Sequence, residues 1–208
     1  LKLDEVLFLD KNNSTNKGSI TEVRLGYLNV FNCTGWFKGF TKLVSIRGGL
    51  RTETTPDWPQ NESEVKPYHS TNQIDNSSSY KEMFSGCSLL EEQQFFIGDG
   101  SYLSDLSYMF YNTPKLTYLT IFDEANYSHS ESSCDKRNIT TMAYMCAGSK
   151  IDTSSFYGFS RGPNSLLNTK SLSNISHMFD GDTTITYVSN LGQLNTSNVT
   201  DMSYLFNG

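Results

Sequence analysis

The sequence predicts an α/β solenoid of short helix-plus-strand units with loop insertions. Three observations carry that expectation. An eight-residue apolar pattern recurs along the chain, a second apolar pair follows several of its copies at a fixed distance, and the composition is too poor in alanine for a helical bundle.

The pattern is clearest at the end of the chain, in Val199-Thr-Asp-Met202-Ser-Tyr-Leu205-Phe206. It recurs as Leu103-Ser-Asp-Leu106-Ser-Tyr-Met109-Phe110, Ile139-Thr-Thr-Met142-Ala-Tyr-Met145-Cys146 and Leu172-Ser-Asn-Ile175-Ser-His-Met178-Phe179. Two weaker copies precede these: Val30-Phe-Asn-Cys33-Thr-Gly-Trp36-Phe37, and one that keeps Tyr80, Met83 and Phe84. Counted from the final residue as an anchor, positions −7, −4, −1 and 0 are apolar. That spacing predicts one face of a two-turn helix at each anchor: Phe37, Phe84, Phe110, Cys146, Phe179 and Phe206. Six residues later come Leu43 and Ile46, Leu116 and Leu119, and Ile185 and Val188, which predict a strand. Leu119-x-Ile121 alternates as a strand does, and Ile20-x-x-Val23-x-Leu25 reads as the strand before the first helix.

The anchors lie 47, 26, 36, 33 and 27 residues apart. The short intervals set a period near 26, and the long ones place insertions at 51–79, 123–137 and 153–170. Residues 1–19 are expected to cap the open end of a repeat array running over 20–208. The chain begins at Leu1 without a secretory leader pattern and stops just after a predicted helix, so it reads as a mature or excised piece of an array that continues.

Composition narrows the function. Ser, Thr and Asn number 28, 20 and 18, against three Ala, and the net charge is −6. Aromatics at 13% argue against a disordered chain. An acidic balance without a basic block argues against nucleic acid as a partner. No apolar run is long enough to span a membrane.

The units Asn198-Val-Thr-Asp-Met-Ser-Tyr-Leu-Phe and Met83-Phe-Ser-Gly-Cys87-Ser-Leu-Leu90 resemble the BspA-like leucine-rich repeat, in its roughly 26-residue version from bacterial surface lipoproteins and some protists. Asn195-Thr-Ser-Asn198-Val-Thr follows that family's pattern closely, whereas its cysteine stands here only at Cys87. The resemblance covers about residues 20–208, strongly at 100–121 and 172–208. It implies a right-handed leucine-rich-repeat-like solenoid on a secreted or surface-anchored protein, engaged in adhesion or in binding a host or partner. It brings no catalytic residues.

The residues themselves supply no catalytic constellation. His69, His129 and His177 are far apart, and no zinc, hydrolase or phosphate-loop motif is present, so neither cofactor nor metal is expected. Asp10-Lys-Asn12-Asn-Ser14-Thr-Asn16-Lys-Gly18 spaces oxygens as calcium loops do, yet lacks the sixth-position Gly and the closing Glu, and reads as a polar turn. Four cysteines allow three pairings. Cys134–Cys146 and Cys33–Cys87 are the favoured one, beside the alternative that Cys146 is a buried thiol in a Phe slot.

Ten N-x-S/T sequons occur, at Asn12, Asn13, Asn32, Asn61, Asn76, Asn126, Asn138, Asn174, Asn195 and Asn198, where composition gives about four. They fit either a glycoprotein or a structural use, since Asn138 and Asn198 fall where a helix N-cap belongs. Position −2 reads Tyr108, Tyr144, His177 and Tyr204 in four consecutive units. On a helix it faces away from the core, so stacked units align these rings in an outer ladder, which either binds a ligand or covers neighbouring turns. The expected function is an extracellular or cell-surface recognition or adhesion module, not an enzyme, that binds protein or glycan through its repeat surface. The alternative is a structural subunit of a surface layer or filament that contacts neighbouring copies of itself.

Overall fold

A computed structural model describes residues 17–25, 28–29, 31–48, 73–75, 77–93, 96–97, 102–119, 138–151, 169–186, 188, 191 and 194–208. The regular strands come early and pair in parallel. β1 (Glu22–Leu25), β3 (Ser45–Gly48) and β5 (Glu92–Gln93) form one three-stranded sheet. β2 (Leu28–Asn29), β4 (Gln73–Asp75) and β6 (Phe96–Ile97) form a second. Register is in step in the first sheet, with Val23 opposite Ile46 and Ile46 opposite Gln93. Further along, pairing narrows to single parallel bridges that link Ser79, Asp105, Thr141, Asn174 and Asp201 in succession.

This architecture corrects the predicted fold class. None of the six anchor segments is helical; each is a run of hydrogen-bonded turns, so the chain is not an α/β solenoid of helix-plus-strand units. Nor do Leu116–Leu119 or Ile185 form regular strands. The cause lies in the backbone. In every unit the amide at −1 donates to the carbonyl at −4, as Met145 does to Met142 at 3.1 Å, and the amide at +1 donates to that at −2, as Ala147 does to Tyr144 at 3.2 Å. Such three-residue turns reproduce the i, i+3 spacing of a helix without being one. Position −2 has positive φ, from 56° to 67°, in Gly35, Glu82, Tyr108, Tyr144, His177 and Tyr204. Position +2 does so again in Gly39, Gly86, Asn112, Gly148 and Gly181. A third turn residue at positive φ is the signature of a type II turn, and a right-handed helix admits no such residue.

The turns align their remaining amides along the stacking direction. At each of the five unit-to-unit interfaces, the N–H groups at −4, −2, 0 and +2 donate to the carbonyls at −5, −3, −1 and +1 of the following unit. Phe37 thus donates to Met83 at 2.8 Å, Phe110 to Met145 at 2.8 Å and Phe179 to Leu205 at 3.0 Å. A helix would have spent these donors internally. Here they bind one unit to the next.

Polar residues complete the arrangement, which accounts for their abundance. Position −5 always carries a side-chain oxygen that accepts from the amide two residues on: Asn32 from Thr34, Asp105 from Ser107, Asn174 from Ser176 and Asp201 from Ser203, at 2.7–3.0 Å. Ser79 and Thr141 do the same with hydroxyls. These are Asx and ST turns, whose sequence looks like a helix N-cap. At −6, the hydroxyls of Ser78, Ser104, Thr140, Ser173 and Thr200 each donate to the −6 carbonyl of the preceding unit.

The core is a narrow column. Residues at −4, −1 and 0 are buried throughout the first five units. Phe37 stacks on Phe84 at 5.3 Å, Phe84 on Phe110 at 5.4 Å, and Phe179 on Phe206 at 5.6 Å. Cys146 takes the slot between Phe110 and Phe179. Each buried Phe or Met contributes about 1.5–3 kcal/mol, so stability accrues unit by unit. Leu43, Leu90, Leu116 and Ile151, also fully buried, extend the column sideways.

Candidate aromatic ladder

The turn that defeats the helix also builds the site. A residue at −2 stands between two consecutive turns in the left-handed region, a conformation costing a non-glycine residue about 1–2 kcal/mol. Unit 1 answers with Gly35, but units 3 to 6 place Tyr108, Tyr144, His177 and Tyr204 there at φ 56–58°. The rings form an unbroken stack. Tyr108 and Tyr144 are 4.6 Å apart at 6°, Tyr144 and His177 4.2 Å apart at 7°, and His177 and Tyr204 4.6 Å apart at 17°. The flanking positions carry small, buried residues, Ser107, Ala143 and Ser176 at −3 and Ala147 at +1. They leave room for the rings to lie close against the backbone.

The stack has two unlike ends. At −2 of unit 2 the aromatic series gives way to Glu82, which pairs with Lys38 at 2.8 Å. At the other end Tyr204 is 62% exposed. Tyr144 and His177 each have a neighbouring ring on both faces, so they offer edges, not faces.

Polar groups surround the stack. His177 Nδ1 lies 2.6 Å from Asp180 Oδ2, and Asn207 Nδ2 donates to Asp180 Oδ1 at 2.9 Å. The hydrogen bond from His177, then that from Asn207, hold the Asp180 carboxyl below its ordinary pKa. Asp201 is lowered chiefly by the Ser203 amide and then by its hydroxyl. Desolvation, followed by Tyr108, Asp180, Tyr111 and Asp201, raises the Tyr144 phenol.

One member was not foreseen from the sequence. Tyr111, at +1 of unit 3, packs edge-on to Tyr108 at 5.6 Å and to Tyr144 at 6.4 Å. Position +1 is Lys, Ser, Tyr, Ala, Asp and Asn in successive units, so no column announces it.

The other expected sites fall out differently. Cys33, Cys87 and Cys146 are buried thiols, and no disulfide joins any two of them. The expected Cys33–Cys87 bond is thereby corrected: Cys87 Sγ instead donates to the Phe37 carbonyl at 3.1 Å, and burial pushes its pKa up to about 12. Cys134 lies outside the described residues, while Cys146 occupies the Phe column. Among the sequons, Asn32, Asn138 and Asn198 are exposed, and Asn174 and Asn195 are half-buried with their side-chain oxygens engaged by Ser176 and Ser197. The expected N-cap role at Asn138 and Asn198 is displaced, since the capping oxygen sits at −5; Asn198 Nδ2 donates to the Lys170 carbonyl at 2.6 Å. Asn12, Asn13, Asn61, Asn76 and Asn126 lie outside the described residues, as do residues 1–16 of the expected cap and nearly all of the three insertions.

Among the described residues, no group of three or more His, Cys, Asp or Glu could hold a metal ion, and no helix is long and apolar enough to cross a membrane. A family model described as "Mycoplasma protein of unknown function, DUF285" matches residues 153–208, the segment holding the last two units. No curated protein and no solved structure matches the chain. The family match is compatible with a surface-protein repeat of the kind the sequence resembles and is confined to about the last quarter of the chain.

Proposed function

We propose that this chain is a recognition or adhesion module of the cell surface or extracellular space, binding a protein or glycan ligand through its aromatic ladder. The observation that supports this reading is the cost of the ladder. Four consecutive units hold large rings in a backbone conformation that glycine would adopt without strain, and the fold itself accepts Gly35 there. Strain kept at the same position in successive units, with ring edges turned outward, is the pattern of a built surface. Tyr offers large contact area at small entropic cost, which suits it to binding.

The test is the triple replacement of Tyr108, Tyr144 and Tyr204 by Ser. The variant keeps the core column, whose members stand at −4, −1 and 0, so it folds; it loses retention of protein and glycan ligands on an array. A variant that folds and binds as the parent does overturns the reading.

A further inference from the structure

The ladder has one property that chooses between its two classes of ligand. Carbohydrate recognition by aromatic residues uses the ring face, against which a sugar lays its C–H groups. In the stack from Tyr108 to Tyr204 the interior faces are already taken, at centroid separations of 4.2–4.6 Å and tilts of 6–17°. A sugar cannot enter between rings so spaced. The same closure bars a cation from the faces of Tyr144 and His177, where cation–π attraction acts. Tyr144 and His177, stacked on both faces, turn only ring edges and polar atoms outward.

Two carboxylates among the described residues belong to the last two units of the ladder. Asp180 stands at +1 of unit 5, 2.6 Å from His177, and Asp201 stands at −5 of unit 6, on the turn that carries Tyr204. Each carboxylate has hydrogen bonds that hold its position: Asp180 from Asn207, Asp201 from Ser203. Glu82 and Lys38 neutralise each other at the far end of the column. The whole chain adds a net charge of −6.

Resting on the recognition reading above, we infer that the ladder's ligand is a basic protein segment, whose Lys or Arg side chains lay their methylene stems along the ring edges and bring their charged ends to Asp180, Asp201 and the phenol oxygens. Long basic side chains divide in this way between apolar and polar surroundings. An arginine fork matches a carboxylate better than an ammonium does, so Arg is the favoured contact. Opposed charge steers the encounter and aromatic edges supply the buried area, which is the usual division of labour at such surfaces.

The experiment titrates the folded chain with three probes: an alternating arginine–serine octapeptide, its glutamate–serine counterpart, and a hexamer of N-acetylglucosamine. The variants are Tyr144→Ser combined with Tyr204→Ser, Asp180→Asn, and, as a charge control outside the ladder, Glu91→Gln, whose carboxylate pairs with Lys115 at 2.8 Å, each checked for parental thiol burial. Tyr144→Phe, which keeps the stack, is a second probe in case the Ser pair fails to fold. The basic peptide binds, weakens about tenfold in the Tyr pair and in Asp180→Asn, and is unchanged by Glu91→Gln. In Tyr144→Phe it weakens by a smaller factor. Equal binding of the acidic peptide overturns the inference. Binding of the sugar hexamer that the Tyr pair abolishes overturns it too, while upholding the ladder as a recognition surface. Binding of any probe that ignores every ladder substitution, or no binding at all, removes both.

Discussion

The imidazole of His177 lies 4.2 Å from the ring of Tyr144 and nearly parallel to it, and both residues hold positive φ, 56° and 57°. Contact and strain thus coincide in the same pair. Their separate contributions can be measured by choosing what replaces the ring.

Tyr144→Ala removes the stack and keeps the strained φ, whereas Tyr144→Gly removes both. The Gly variant is therefore more stable than the Ala variant by about 1 kcal/mol. Urea unfolding midpoints of the two give the comparison, and equal midpoints contradict a left-handed backbone at this position.

Gly148 tests the second positive-φ position. Its φ is 69°, and a Cβ there meets Asn112 Cα at an ordinary 3.5 Å. Space is available, so the loss in Gly148→Ala comes from the backbone and amounts to about 1–2 kcal/mol. Thermal melts of Gly148→Ala and Gly148→Asn check it. Asn retains more stability than Ala, as Asn112 at the same position in unit 3 suggests.

Asn174 separates structure from glycosylation. Its Oδ1 accepts from the Ser176 amide at 2.9 Å and from the Ser176 hydroxyl at 2.8 Å. Asp fills this position in units 3 and 6, so Asn174→Asp keeps the turn, destroys the sequon and changes stability by a few tenths of a kcal/mol. Asn174→Ala costs about 1 kcal/mol. A mass difference between parent and Asn174→Asp, after secretion from a eukaryotic host, reports sugar at this residue; unfolding data report the turn.

The carboxyls of Asp180 and Asp201 are held below their ordinary pKa, the first by His177 and the second by Ser203. A lowered native pKa contributes stability in full above the unfolded value, near 4, and the contribution disappears as pH falls through the native value. These two carboxyls accordingly leave denaturation midpoints unchanged above about pH 5 and lower them below about pH 4. Asp180→Asn and Asp201→Asn flatten that fall. An unchanged acid limb in both variants contradicts the assignment.

Burial raises the thiol pKa of Cys87 to about 12 and that of Cys146 well above the usual range. Both thiols are therefore inert to a water-soluble disulfide reagent in the folded chain and react once it is unfolded. Unfolding without reductant, followed by alkylation and peptide mapping, labels Cys33, Cys87 and Cys146. A peptide pair that links any two of these three cysteines in the unreduced map contradicts the absence of disulfides among them.

The spacing of Phe, Met and Leu in the sequence already determined which residues share the core and where each unit repeats. It also aligned Tyr108, Tyr144, His177 and Tyr204, because one row per unit follows from any regular stack. Even the turns left a trace: Gly39, Gly86, Gly148, Gly181 and Gly208 all fall two residues after an anchor. Tertiary structure alone decided that the units are turns and not helices. A three-residue apolar spacing and an Asn or Asp two residues before a capped amide are common to both, and local pattern cannot tell where an amide finds its acceptor. In this chain the donors at −4, −2, 0 and +2 find it in the next unit, 25 to 46 residues away in sequence. The same cross-unit bonds bring the ladder rings face to face at 4.2–4.6 Å, and so leave Tyr144 and His177 with only their edges outward.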